Sequence, residues 1–154
     1  MGALLVASGS MQPIGDFWES DANEWDKCLE INALAPLRVL RGLYPIRNKS
    51  ALPSLAFFAD AGTNNAAPSY SAHVASKIML IMLIMLIKMC ELLDAESLDA
   101  SFFIIGPGIV RTKIHHQTLD AGQRSGLNLV KVTDFLESDD PRVSHEDIYA
   151  CLRW

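Results

Sequence analysis

Between Lys77 and Lys88 the sequence runs through ten apolar residues, Ile78-Met-Leu-Ile-Met-Leu-Ile-Met-Leu-Ile87. A bilayer-spanning helix needs about 20 such residues, and a run of 10–14 is more often a buried helix. The three-residue repeat leaves no polar side when wound at 3.6 residues per turn. A helix of this kind must be covered all round, by the rest of the chain or by a second copy. With 154 residues, the chain is long enough for one domain with a core that does most of that covering.

The segments around the run alternate between two patterns. Ala3–Ala7 is a short apolar stretch closed by Ser8-Gly9, which predicts a fully buried parallel strand. Ser10–Ser20 is a loop. Asp21-Ala-Asn-Glu24 carries a helix-start pattern, and the helix continues through Leu29, Leu34 and Leu37 to Leu43, with a kink expected at Pro36. Leu52–Ala59 is a second strand, and Ser69–Leu93 is the long helix holding the apolar run. Ser101–Ile105 is a third strand, cut off by Gly106-Pro107-Gly108. Beyond it come a short helix at Lys113–Leu119, a loop at Gly122–Gly126, a helix at Val130–Glu137 and a last strand at Ile148–Leu152. Strands alternating with helices predict an α/β fold: a partial Rossmann-like parallel sheet of about four strands flanked by helices. Residues 1–112 form the sheet–helix core, 113–126 a lid-like segment, and 127–154 a C-terminal helix and strand.

Charge and cysteines narrow the function classes. The net charge of −5 argues against nucleic acid and against an anionic membrane surface, both of which select a basic patch. Met1–Gly9 has no basic start and too few apolar residues for a signal peptide, so it reads as strand. Cys28, Cys90 and Cys151 form no CxxC pair and read as reduced thiols, which predicts a cytoplasmic setting. His115 and His116 are adjacent and point to different helix faces, so no metal site is expected.

Four motifs, in order, resemble the second half of the short-chain dehydrogenase/reductase family. Glu30-Ile-Asn32-Ala-Leu-Ala-Pro36 is similar to the helix that carries the family's Asn. Phe57-Phe-Ala-Asp-Ala-Gly62 is similar to the strand end that carries its Ser. His73-Val-Ala-Ser-Lys77 stands at the Tyr-x-x-x-Lys position, and Pro107-Gly108-Ile109-Val110-Arg-Thr112 matches the Pro-Gly-x-x-x-Thr turn. The resemblance implies an oxidoreductase that moves hydride between NAD or NADP and a carbonyl or alcohol. It assigns Asn32, His73 or Tyr70, and Lys77 to proton relay and ribose binding. Gly9, Lys77, Pro107, Gly108, Ile109, Val110 and Thr112 would face the cofactor.

Three departures set this sequence apart from that pattern. The Ser position falls on Ala59, or on Asp60 if no gap is allowed, and neither side chain can donate to an oxyanion when Asp60 is ionised. The Tyr position is His73, whose imidazole can carry protons near neutral pH. Tyr70 is the other candidate, at i, i+3 and i+7 with His73 and Lys77, but a full turn farther from the lysine. No Gly-x-Gly-x-x-Gly turn occurs, and such a turn is what holds a dinucleotide's pyrophosphate. Two readings follow: an oxidoreductase impaired as an isolated chain, or a non-catalytic pseudoenzyme acting by association. A homo-oligomer is expected through the 69–93 helix or the open 3–7 strand edge.

Overall fold

The computed structural model describes residues 3–59, 67–89 and 100–138, with 144, 146, 147 and 150 beyond, side chains of 86–89 excepted. Within them, β1 (Ala3–Val6), β2 (Ser54–Phe58) and β3 (Ser101–Ile105) form a parallel sheet in the order β1-β2-β3. Leu4 stands opposite Leu55, which stands opposite Phe102; Val6 stands opposite Phe57, which stands opposite Ile104. Parallel neighbours require crossovers. α1 (Ala22–Leu29) and α2 (Ala35–Leu43) make the first, and α3 (Ser71–Met89) lies in the second. The chain is therefore α/β and Rossmann-like, as its alternating pattern predicts. Of the expected strand at Ile148–Leu152 only Ala150 is described, and it is helical; the rest, like Asp60, Cys90 and Cys151, lies outside the described residues.

One face of the sheet builds the core. Leu55, Phe57 and Phe102 pack with Ala33, Leu40, Leu80 and Ile84 of the helices, and Leu4 and Val6 join from β1. Because side chains alternate along a strand, Leu5 points the other way, and it is 44% exposed. The expectation of a fully buried β1 is thus corrected. β1 is the last described strand on its side of the sheet, and only its Leu4–Val6 face meets the helices.

The helix start and the proline behave differently from each other. Asp21 caps α1 as expected, its carboxylate accepting from the Glu24 N–H at 3.0 Å. Pro36 has no N–H to return to the Asn32 carbonyl, and in place of the predicted kink the ladder widens into a π-turn over Glu30–Leu34. Ala35 N–H bonds back to the Glu30 carbonyl, closing that turn. Such wide turns are frequent at functional sites, and this one carries Asn32 with no exposed surface.

α3 is not covered all round by the described chain. Leu80 and Ile84 are buried, while Ile78, Met82 and Met85, at i, i+4 and i+7, are 42%, 59% and 41% exposed. Past β3, the short helix expected at Lys113–Leu119 is a 3-10 turn (Lys113–His115) running into α4 (His116–Ala121). The expected loop at Gly122–Gly126 is a second 3-10 turn (Gly122–Ser125) bracketed by glycines at φ 56° and 57°. α5 (Leu127–Glu137) begins three residues before its predicted start. Leu127 and Val130 are largely exposed, so the apolar pattern of its first turn does not mark a buried face.

Candidate functional site

Asn32 is the hub of a polar cluster at the C-terminal end of β1. Its Oδ1 accepts the Ser10 N–H at 2.7 Å, and its Nδ2 donates to the Ser10 carbonyl at 2.8 Å and to Ser76 Oγ at 2.8 Å. A flipped amide would set Nδ2 against the Ser10 N–H, so this network fixes the orientation. The loop after β1 is therefore clamped to the π-turn. Gly9 runs beside the site's polar groups at ordinary contact distance. A Cβ there would lie 3.5 Å from Asn32 Oδ1 and 3.8 Å from Lys77 Nζ.

α3 delivers His73, Ser76 and Lys77 to the same place, all less than a tenth exposed. His73 Nδ1 lies 2.7 Å from the Ser10 carbonyl. A carbonyl only accepts, so Nδ1 carries the proton, and the neutral ring's basic atom is Nε2. The 3.4 Å approach of Asn32 Nδ2 to the same Nδ1 is then a contact between two donors, not a hydrogen bond. Ser76 Oγ donates to the His73 carbonyl at 2.7 Å, tightening the turn that presents the imidazole. Lys77 Nζ donates to the Phe58 carbonyl at 3.2 Å, at the end of β2. Lys77 is thus a buried ammonium in the site, not a solvated residue flanking the apolar run. Ala59, in the adjacent position, contributes only its backbone, donating to the Ile105 carbonyl at 2.8 Å.

Tyr70 is engaged elsewhere. Its hydroxyl lies 2.7 Å from Thr118 Oγ1, and its ring packs with Ile14 and Ala121. His73, not Tyr70, stands with Lys77 beside Gly9-Ser10. The Pro107–Thr112 turn leaves β3 with Gly108 at φ 72°, which favours glycine over any residue with a Cβ. Val110 is buried and its carbonyl accepts from His115 Nε2 at 2.9 Å. Pro107 is half-buried, Gly108, Ile109 and Thr112 are exposed, and Thr112 starts the following 3-10 turn without a side-chain cap. No group of three His, Cys, Asp or Glu side chains able to hold a metal occurs among the described residues, and none of their helices is long and apolar enough to cross a membrane.

Sequence reasoning passes over Ser10, Ser76, Cys28 and Gln117. Ser76 has a readable signal, a hydroxyl three residues after His73 on one helix face. Ser10 has none, because it acts through its backbone. Gln117 Oε1 holds the Met11 N–H at 2.7 Å, tying the loop after β1 to α4. Cys28 Sγ sits 3.6 Å from the Ser10 carbonyl. Burial pushes its thiol pKa up, against the opposing pull of Ser76 and the Lys77 charge. Burial likewise raises Tyr70, against the Thr118 hydrogen bond. Groups raised in the fold stabilise it below their unfolded pKa and lose that contribution as pH climbs through the folded value. Thermal melts should therefore show stability falling above about pH 8.5, where an unfolded thiol titrates, and again above about pH 10 for Tyr70. Cys28→Ala should remove the first decline and leave the second.

No protein-family model and no curated protein matches the sequence. Solved structures do. The KRED1-Pglu enzyme superposes with a TM-score of 0.77 at 21% identity, over 99% of this chain and 62% of its own. A short-chain dehydrogenase/reductase from Saccharomyces cerevisiae gives 0.73 at 20% identity, over 94% of this chain and 55% of its own. A 4-hydroxyisoleucine dehydrogenase complexed with NADH and succinate gives 0.70 at 22%, over 97% and 57%. The chain spans somewhat more than half the length of these structures. Across that span, it has the short-chain dehydrogenase/reductase fold.

Proposed function

We propose that this chain provides the proton-transfer and nicotinamide-facing part of an NAD(P)-dependent oxidoreductase acting on a carbonyl or alcohol. The observation that carries the reading is convergence. Asn32, His73 and Lys77 come from two segments more than 40 residues apart and meet around Gly9-Ser10. One of the similar structures holds NADH.

The residues fit one end of a dinucleotide. Lys77 stands beside Gly9 and would hold a ribose, and Gly108 turns the backbone at a positive φ that suits glycine. The other end is not provided, since the sequence has no glycine-rich turn for the pyrophosphate. When bound, the nicotinamide would supply or accept the hydride. His73 would hold the proton at Nε2, with Nδ1–H anchored on the Ser10 carbonyl, and Asn32 would keep that carbonyl in place. Ala59 brings no hydroxyl donor to a substrate's carbonyl oxygen, so among the described residues polarisation rests on His73. Turnover then needs a pyrophosphate-binding unit that these 154 residues do not contain.

Calorimetric titration with NADH and NADPH tests this. Binding from one wall alone should be weak, with Kd in the region of about 1 mM. Lys77→Met, which keeps the buried stem and removes the charge, should weaken it at least tenfold. Heats of dilution alone up to several millimolar of both cofactors would rule the reading out.

A second reading, a non-catalytic chain that acts by association, is favoured by the exposed Ile78, Met82 and Met85 and by the uncovered Leu5. In both readings, α3 or the β1 edge is the surface for a second copy. A monodisperse monomer at high concentration in light scattering would exclude that assembly.

A further inference from the structure

The loop between β1 and α1, with the start of α1, carries a cluster unrelated to the proton-relay site. Within residues 16–26 stand three aromatic rings, Phe17, Trp18 and Trp25, and five carboxylates, Asp16, Glu19, Asp21, Glu24 and Asp26, with no Lys or Arg. The rings are set edge to face. Phe17 and Trp18 have centroids 5.0 Å apart at 73°, and Phe17 and Trp25 are 6.5 Å apart at 76°. Phe17 and Trp25 are thus two near-perpendicular walls. They line a cavity of about 290 Å³ that Ser20, Ala22 and Asp26 complete. Trp25 is held in place by its Nε1–H donating to Ser71 Oγ at 3.3 Å.

We propose that this corner binds an organic ammonium ion, an alkylated nitrogen cation of the choline type. Ring faces carry negative potential and attract a cation most strongly when it is weakly hydrated, as an alkylated ammonium is. Perpendicular walls present two such faces to one guest. A flat aromatic guest would ask for parallel walls, and an anion would be repelled by Asp26 and its neighbours. A bare metal ion would find one carboxylate and two hydrocarbon faces, too few oxygens for a hard cation. The surrounding carboxylates add a negative field, and Lys27, the next cation in sequence, is already paired with Glu24. Phe17 is 51% exposed, which leaves ring surface open to a guest.

The test is a titration of the whole chain with choline chloride at constant ionic strength. Its neutral carbon analogue, 3,3-dimethylbutan-1-ol, is titrated in parallel. The Trp25 indole N–H signal reports the site and, through its bond to Ser71, the fold around it. Choline should shift that signal saturably, with the neutral analogue at least tenfold weaker. Phe17→Ala, half-exposed and so expected to fold, should weaken choline about tenfold, and Asp26→Asn a few-fold. Equal binding of the two ligands would overturn the proposal, as would an unchanged choline affinity in Phe17→Ala. No shift up to 100 mM choline, about the weakest binding worth the name, would also overturn it.

Discussion

Replacing Asn32 by Ala should lower unfolding stability by about 3 kcal/mol, because it strands several buried or half-buried polar groups at once. The Ser10 N–H and the Ser76 hydroxyl each lose their Asn32 partner, and the Ser10 carbonyl keeps only His73 and the weak thiol contact. Urea unfolding monitored by far-UV circular dichroism measures the change. Asn32→Asp separates the two halves of the amide's work. Asp retains an acceptor for the Ser10 N–H but cannot donate, and it sets a carboxylate against the Ser10 carbonyl. It should therefore be nearly as damaging as Ala, although it is closer in shape. A loss below about 1 kcal/mol for both, the size of one ordinary hydrogen bond, would show that the clamp is not what holds the loop after β1.

The other large effect belongs to Phe57. It is the central residue of the core face, 1% exposed, on the middle strand and packed among Leu55, Phe102, Leu80 and Ile84. Phe57→Ala removes a ring from a site bounded by strands on both sides, where the backbone cannot collapse inward. The expected loss is about 3–5 kcal/mol, and at about 2–4 °C per kcal/mol for a chain this size the melting temperature should fall by about 10 °C. Ile104, its neighbour on β3, is 37% exposed. Ile104→Ala should cost far less, and the contrast between the two shows that burial, not strand propensity, sets the effect.

The three strands were readable because each is a short apolar run closed by Gly, Pro or Ser, and β3 matches its expected bounds at both ends. Exposure was not readable. Ala3–Val6 looks like a central strand by composition, and only the sheet order shows that no described strand lies beyond it. The apolar repeat of α3 likewise says that a cover is needed and not whether this chain provides it. Pro36 could be read as a missing N–H, but the choice between kink and π-turn depends on packing. That packing places Asn32 against Ser10, a contact 22 residues apart along the chain. Of the site, Asn32, His73 and Lys77 were legible as side chains of fitting chemistry at family spacings. Tyr70 stands three residues beyond the family spacing, and its hydroxyl meets Thr118, 48 residues away. Ser10 was invisible because its contribution is backbone.

In the proposed relay, the Ser10 carbonyl and Asn32 hold His73 with its basic nitrogen at Nε2. Long-range proton–nitrogen NMR correlation of the imidazoles at pH 8 tests it most directly, because the two ring nitrogens of a neutral histidine report which one bears the hydrogen. His73 should be the Nδ1–H tautomer, with Nε2 unprotonated. An Nε2–H tautomer in the intact chain would contradict the claim, since Nδ1 could then give the Ser10 carbonyl no hydrogen bond.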